Sequence, residues 1–71
     1  MTEKLKKALV SPDDSIRTLL EKITNQSLRI AIVVNKDMVL LGTITDGDIR
    51  RGLLRDKTLD SLAKEIMNKN P

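Results

Sequence analysis

The sequence predicts a small α+β fold of order strand, helix, strand, strand, helix, with an antiparallel hairpin sheet packed on helices. Three observations carry this. Ile16, Leu19, Leu20 and Ile23 recur at helical spacing. Two short runs rich in aliphatic and β-branched residues follow, Ile30-Ala31-Ile32-Val33-Val34 and Val39-Leu40-Leu41-Gly42-Thr43-Ile44. The polar Asn35-Lys36-Asp37-Met38 between them is short enough to force an antiparallel hairpin.

In chain order, residues 1–8 read as a lead-in with Lys4, Lys6 and Lys7 around Leu5, and Ala8-Leu9-Val10 as a short strand. Ser11-Pro12-Asp13-Asp14 supplies a capping Ser, a Pro suited to the first helical position and first-turn acids, so the helix is expected to begin there. Its apolar stripe at i, i+3, i+4 and i+7 faces the core. Asn25-Gln26-Ser27 is expected to end it, with Asn25 in the left-handed region. Ile30 to Val34 is continuous rather than alternating, which predicts a central strand covered on both faces, one of them by a partner. After Arg55, Asp60 is expected to cap a short helix carrying Leu62, Ala63, Ile66 and Met67 that packs back onto the sheet.

Composition narrows the function. With 71 residues the chain is one small domain of marginal stability, so a partner subunit is expected. Hydrophobic residues make up 39% and charged residues 32%, yet Phe, Trp and Tyr are absent, so the core is built from aliphatic side chains and Met. The absence of Cys and His removes disulfides, thiol nucleophiles and the commonest general base and metal ligand. Basic residues give a net charge of +3, but they are interspersed with acids and no aromatic can stack on bases, which argues against nucleic acid. No apolar run is long enough to span a bilayer and no segment resembles a signal peptide, so a cytoplasmic location is expected.

Chemistry concentrates in Gly42-Thr43-Ile44-Thr45-Asp46-Gly47-Asp48-Ile49-Arg50-Arg51, where strand patterning gives way to helical spacing. Thr45 stands three residues before Asp48, the spacing of a capping box, in which hydroxyl and carboxylate each accept a backbone N–H left unpaired at a helix start. The same geometry suits a phosphate at the helix N-terminus and the two hydroxyls of a ribose at the carboxylate, groups that a nucleotide offers together. Gly47 permits a tight turn or close approach of a ligand. Asp46 and Asp48 would repel a phosphate unless Arg50 or Arg51 offsets them. As an enzyme the stretch is poor, because the two acids lack a His, Cys or second acid cluster to share acid and base roles. They could hold Mg²⁺ only incidentally.

Gly42-Thr43-Ile44-Thr45-Asp46-Gly47-Asp48-Ile49 resembles the G-h-h-T-x-x-D-h signature (h, aliphatic) of the cystathionine-β-synthase (CBS) domain, with Thr43 in place of an aliphatic residue. Leu40-Leu41 before it and Arg50-Arg51-Gly52-Leu53-Leu54 after it resemble the CBS domains attached to sugar-phosphate nucleotidyltransferases. The resemblance implies a non-catalytic regulatory module that binds AMP, ATP or S-adenosylmethionine, belongs to or partners a nucleotidyltransferase, and forms a homodimer or pairs with a second repeat. It places Thr45 at the phosphate, Asp48 at the ribose, the adenine along Leu28, Arg29 and Ile30, and Gly47 and Arg51 around the turn. It further implies one CBS repeat over 9–65, with 66–71 resembling the I-M-x-x-x-P opening of a second, missing repeat. The alternative is a ligand-free dimerisation or coupling module in which Thr45 and Asp48 only cap a helix.

Overall fold

A computed structural model describes residues 8–25 and 29–70. The chain runs β1 (Leu9–Val10), α1 (Ile16–Thr24), β2 (Ile30–Val34), β3 (Leu40–Thr45), α2 (Asp46–Arg55) and a 3-10 turn (Ala63–Glu65). β2 pairs antiparallel with β3 as the hairpin requires, and β1 adds a parallel edge, giving a sheet of order β1-β2-β3. The expected fold class is the observed one. The expected lead-in, apart from the fully buried Ala8, lies outside the described residues.

α1 begins later than Ser11-Pro12-Asp13-Asp14 suggests. That stretch closes on itself as a turn, with the Ser11 N–H donating to the Asp14 carboxylate (2.9 Å) and the Asp13 N–H to the Ser11 hydroxyl (3.1 Å). Ser15 caps the helix instead, its hydroxyl accepting the Thr18 N–H at 3.2 Å. Both serines are competent caps, and distant backbone decides between them. The Ile16 N–H donates to the Ser61 carbonyl (2.8 Å) and the Ala63 N–H to the Asp14 carbonyl (2.7 Å), which fixes the chain just before Ile16. The stripe behaves as its spacing requires: Ile16, Leu19 and Ile23 are buried and Leu20 packs beside them. The helix ends at Asn25 as expected, though not through the left-handed region: Asn25 has φ −95° and donates its side-chain amide to the Glu21 carbonyl at 2.9 Å, while Gln26 and Ser27 lie outside the described residues.

β2 is central, and its two faces differ in burial. Ala31 and Val33 are fully buried, whereas Ile30, Ile32 and Val34 between them stay half-buried. The continuous apolar run therefore reflects a strand with one fully buried face and one half-buried apolar face. β3 starts at Leu40 rather than Val39 because the Asn35 side-chain oxygen accepts the Val39 N–H (3.0 Å) as well as that of Asp37 (2.8 Å), holding both in the loop. The core is aliphatic throughout, centred on Ile16, Leu19, Val33, Ile44 and Ile49, with no buried polar residue among those described.

After α2 the chain does not form the expected helix capped by Asp60. Asp60 lies in a turn between Thr58 and Ser61 and pairs at the surface with Arg17 (3.7 Å). Backbone groups of Leu59, Ser61, Ala63 and Lys64 bond to residues 12–17, so they are unavailable for helical pairing and only the 3-10 turn remains. The segment does pack back onto the sheet. Asn68 exchanges two backbone hydrogen bonds with Thr43 (2.8 and 3.0 Å), an approach that Gly42 permits, since a Cβ there would lie 2.7 Å from the Asn68 carbonyl.

Candidate functional site

β3 ends at Thr45 because the chain turns into α2 without a loop, and the two residues that bracket the turn satisfy one another. The Thr45 hydroxyl accepts the Asp48 N–H (3.2 Å), and Asp48 Oδ2 accepts both the Thr45 N–H (2.9 Å) and the Thr45 hydroxyl (3.0 Å). This is the capping box that the spacing predicts. Ile30 sits directly opposite Thr45 in the β2–β3 register, so the start of β2 adjoins the turn.

Each acid at the helix start carries an arginine. Arg50 donates to Asp46 at 3.1 Å and Arg51 to Asp48 Oδ1 at 2.5 Å. The Asp48 side chain is 17% exposed while that of Arg51 is 64% exposed. Burial raises the Asp48 pKa, but the Thr45 N–H, the Thr45 hydroxyl and the Arg51 guanidinium together outweigh it and hold the carboxyl below its ordinary range. The group is therefore an anion at neutral pH. The Arg51 guanidinium reaches back across the turn over Gly47, where an added Cβ would lie 3.3 Å from Nη1.

Asp48, Arg51, Gly52 and Arg55 share one face of α2, and with Lys57, Glu65, Ile66 and Met67 they line an open cavity of about 210 Å³. No group of three or more acids among the described residues could hold a metal ion, and Asp46 and Asp48 are each engaged by an arginine.

The CBS domain family model matches residues 1–55, which include the turn and the whole of α2. The chain belongs to the CBS domain family. A CBS-domain-containing protein of Agrobacterium tumefaciens is similar in structure, with a TM-score of 0.82 at 25% identity over 89% of this chain and 48% of its own. A cystathionine beta-synthase domain protein fused to a Zn-ribbon-like domain gives a TM-score of 0.78 at 28% identity, over 89% of this chain and 91% of that one. Among curated proteins, an uncharacterized protein of Helicobacter pylori is 35% identical over 63 residues, covering 89% of this chain. Arabinose 5-phosphate isomerase of Yersinia pestis is 45% identical over 42 residues, 59% of this chain and 13% of that enzyme. The chain spans about a fifth of the length of the Helicobacter relative, 19%. The resemblance to nucleotidyltransferase-attached domains finds only weak support in these relatives, since the Yersinia enzyme is an isomerase.

CBS domains are in general regulatory modules that bind adenosine ligands, and this one brings Ile30, Thr45, Gly47, Asp48 and Arg51 to one end of its sheet. Arg29 precedes Ile30 as an exposed residue with φ 55°, and Leu28 lies outside the described residues. Sequence reasoning missed the cavity beside Asp48. Its signal was present in the spacing of Asp48, Gly52 and Arg55, one face of a single helix. The far wall, Ile66 and Met67, is placed by the return of the chain onto β3, which no local pattern reports. No helix among the described residues is long and apolar enough to cross a membrane.

Proposed function

We propose that this CBS domain is a regulatory module that binds an adenosine-containing nucleotide, AMP or ATP or a relative such as S-adenosylmethionine, at the 45–48 turn. The observation that carries the reading is the charge state of that turn. A half-buried, ionised Asp48 faces the position of the ribose hydroxyls at a helix N-terminus whose acids are neutralised by Arg50 and Arg51, so a phosphate meets no uncompensated negative charge. In this reading Leu28, Arg29 and Ile30 supply the edge along which adenine lies, and the module belongs to or partners an enzyme of phosphorylated sugars, a nucleotidyltransferase or an isomerase. Residues 9–65 form the repeat and 66–71 open a second one. Titration of AMP, ATP, S-adenosylmethionine and GMP against the melting temperature tests the reading. Ligand at one hundred times its dissociation constant stabilises by about 2.7 kcal/mol, which for a domain of this size is a shift on the order of 10 °C. No shift with any adenosine compound at millimolar concentration would sink it.

A second reading, a coupling module, is favoured by the half-buried apolar Ile30, Ile32 and Val34 on one face of β2 and by the way Thr45 and Asp48 satisfy one another without a ligand. Pairing through that face, with a second copy or a second repeat, is compatible with nucleotide binding. Light scattering that returned the monomer mass at millimolar concentration would exclude the homodimer.

A further inference from the structure

The hydrogen-bonding capacity of Asp48 is nearly used up in the unliganded domain. A carboxylate has about four acceptor positions. Both positions of Oδ2 are taken by the Thr45 N–H and hydroxyl, and Arg51 takes one on Oδ1. One position remains, whereas a ribose diol brings two donors. The Thr45 bonds belong to the helix cap and cannot leave without opening the turn. Arg51 can leave, because its side chain is 64% exposed and its guanidinium otherwise lies over Gly47, which has no side chain to hold it. Its resting place is also unusual on electrostatic grounds, since a cation at a helix N-terminus opposes the helix dipole, and among the described residues the Asp48 carboxylate is what holds it there.

We propose, on the reading that the 45–48 turn binds adenosine nucleotides, that Arg51 is the specificity-determining residue of the site: it rests on Asp48 Oδ1, yields that oxygen to the ribose, and turns to the phosphate, so that phosphorylated nucleosides are selected over bare ones. An unphosphorylated nucleoside must displace Arg51 and gives it no anion in return. A phosphorylated one replaces the lost ion pair with another at the same helix start. Gly47 takes a role in this exchange, because a side chain there would crowd the path that the guanidinium sweeps.

Calorimetric titration of adenosine and AMP against the parent, Arg51→Met and Arg51→Lys tests the exchange. Met keeps the length of the side chain without the charge, and Lys keeps the charge without the fork. The parent is expected to prefer AMP by about tenfold, the size of one charge-assisted hydrogen bond. In Arg51→Met adenosine should bind up to about fivefold more tightly, since an exposed ion pair no longer competes for Oδ1, and the preference for AMP should fall to within about twofold. Arg51→Lys should fall between the two. A preference for AMP that is the same in the parent and Arg51→Met overturns the proposal while leaving nucleotide binding intact. Failure of the parent to bind either compound overturns the nucleotide reading and the proposal with it.

Discussion

The two helices are of similar length and are held in opposite ways. α1 is secured by its middle: Ile16, Leu19 and Ile23 are buried, its first turn carries no acid, and its cap is the single Ser15 hydroxyl. α2 is secured by its start: a reciprocal capping box and two ion pairs hold the first turn, while its buried residues are Ile49 and a glycine, and Leu53 and Leu54 face outward. A helix that leans on the core is held by apolar side chains that a ligand does not reach. A helix that leans on its own terminus is held by polar groups at the surface, where they can change partners.

The largest effect should separate the helices by packing. Leu19→Ala in α1 removes a fully buried side chain and is expected to cost about 2–5 kcal/mol, enough to unfold much of so small a domain. Leu54→Ala in α2, where the side chain is 79% exposed, should stay within about 0.5 kcal/mol. Urea midpoints for the two variants settle the point, and comparable losses would break the contrast.

Next in size, Gly42→Val should drive a Cβ into the Asn68 carbonyl and cost about 1–3 kcal/mol. Its signature sharpens the comparison. Amide exchange should quicken at Ile16 and Arg17, whose acceptors Ser61 and Leu59 lie in the segment that Asn68 anchors, but not at Asp48, whose acceptor is the neighbouring Thr45 hydroxyl.

At the caps, Thr45→Val and Ser15→Ala should each cost about 1 kcal/mol, with Thr45→Ser close to neutral. Helix α2 has the less buried surface in reserve, so circular dichroism should show more helix lost in Thr45→Val than in Ser15→Ala.

The smallest effect concerns acid. Because the folded Asp48 carboxyl titrates below its unfolded value, its contribution to stability is complete above the ordinary carboxylate range and is lost as pH falls through the folded value. Unfolding free energies measured from pH 6 down to pH 3 should therefore decline more steeply in the parent than in Asp48→Asn. Glu65 is lowered too, chiefly by the Leu62 N–H, and contributes the same slope to both proteins. Identical slopes would remove Asp48 from the account.

Much of this was legible because it is local. The capping box depends on two residues three apart, the α1 stripe on four residues at helical spacing, and the hairpin on two runs and a short polar link. Where reading the chain failed, remote backbone decided. Ser11 and Ser15 are both good caps, and the choice falls to Ser15 through the bond from Ile16 to the Ser61 carbonyl and the bond from Ala63 to the Asp14 carbonyl. Leu62, Ala63, Ile66 and Met67 have helical spacing, but Leu59, Ser61, Ala63 and Lys64 spend backbone groups on residues 12–17. β2 has the composition of a strand buried on both faces, and within the single chain Ala31 and Val33 are fully buried while Ile30, Ile32 and Val34 are half-buried. The candidate site was found from its motif, and the cavity beside it was not, because one wall comes from the returning chain.

That returning chain has a further consequence. β3 is an edge strand whose aliphatic Leu40 and Leu41 would suit addition of a foreign strand. By bonding to Thr43 in the middle of that edge, Asn68 leaves no uninterrupted row of free amides and carbonyls for a templating chain to zip along. The same short contact that brings Ile66 and Met67 beside Asp48 thus also interrupts the edge along which a foreign strand could add.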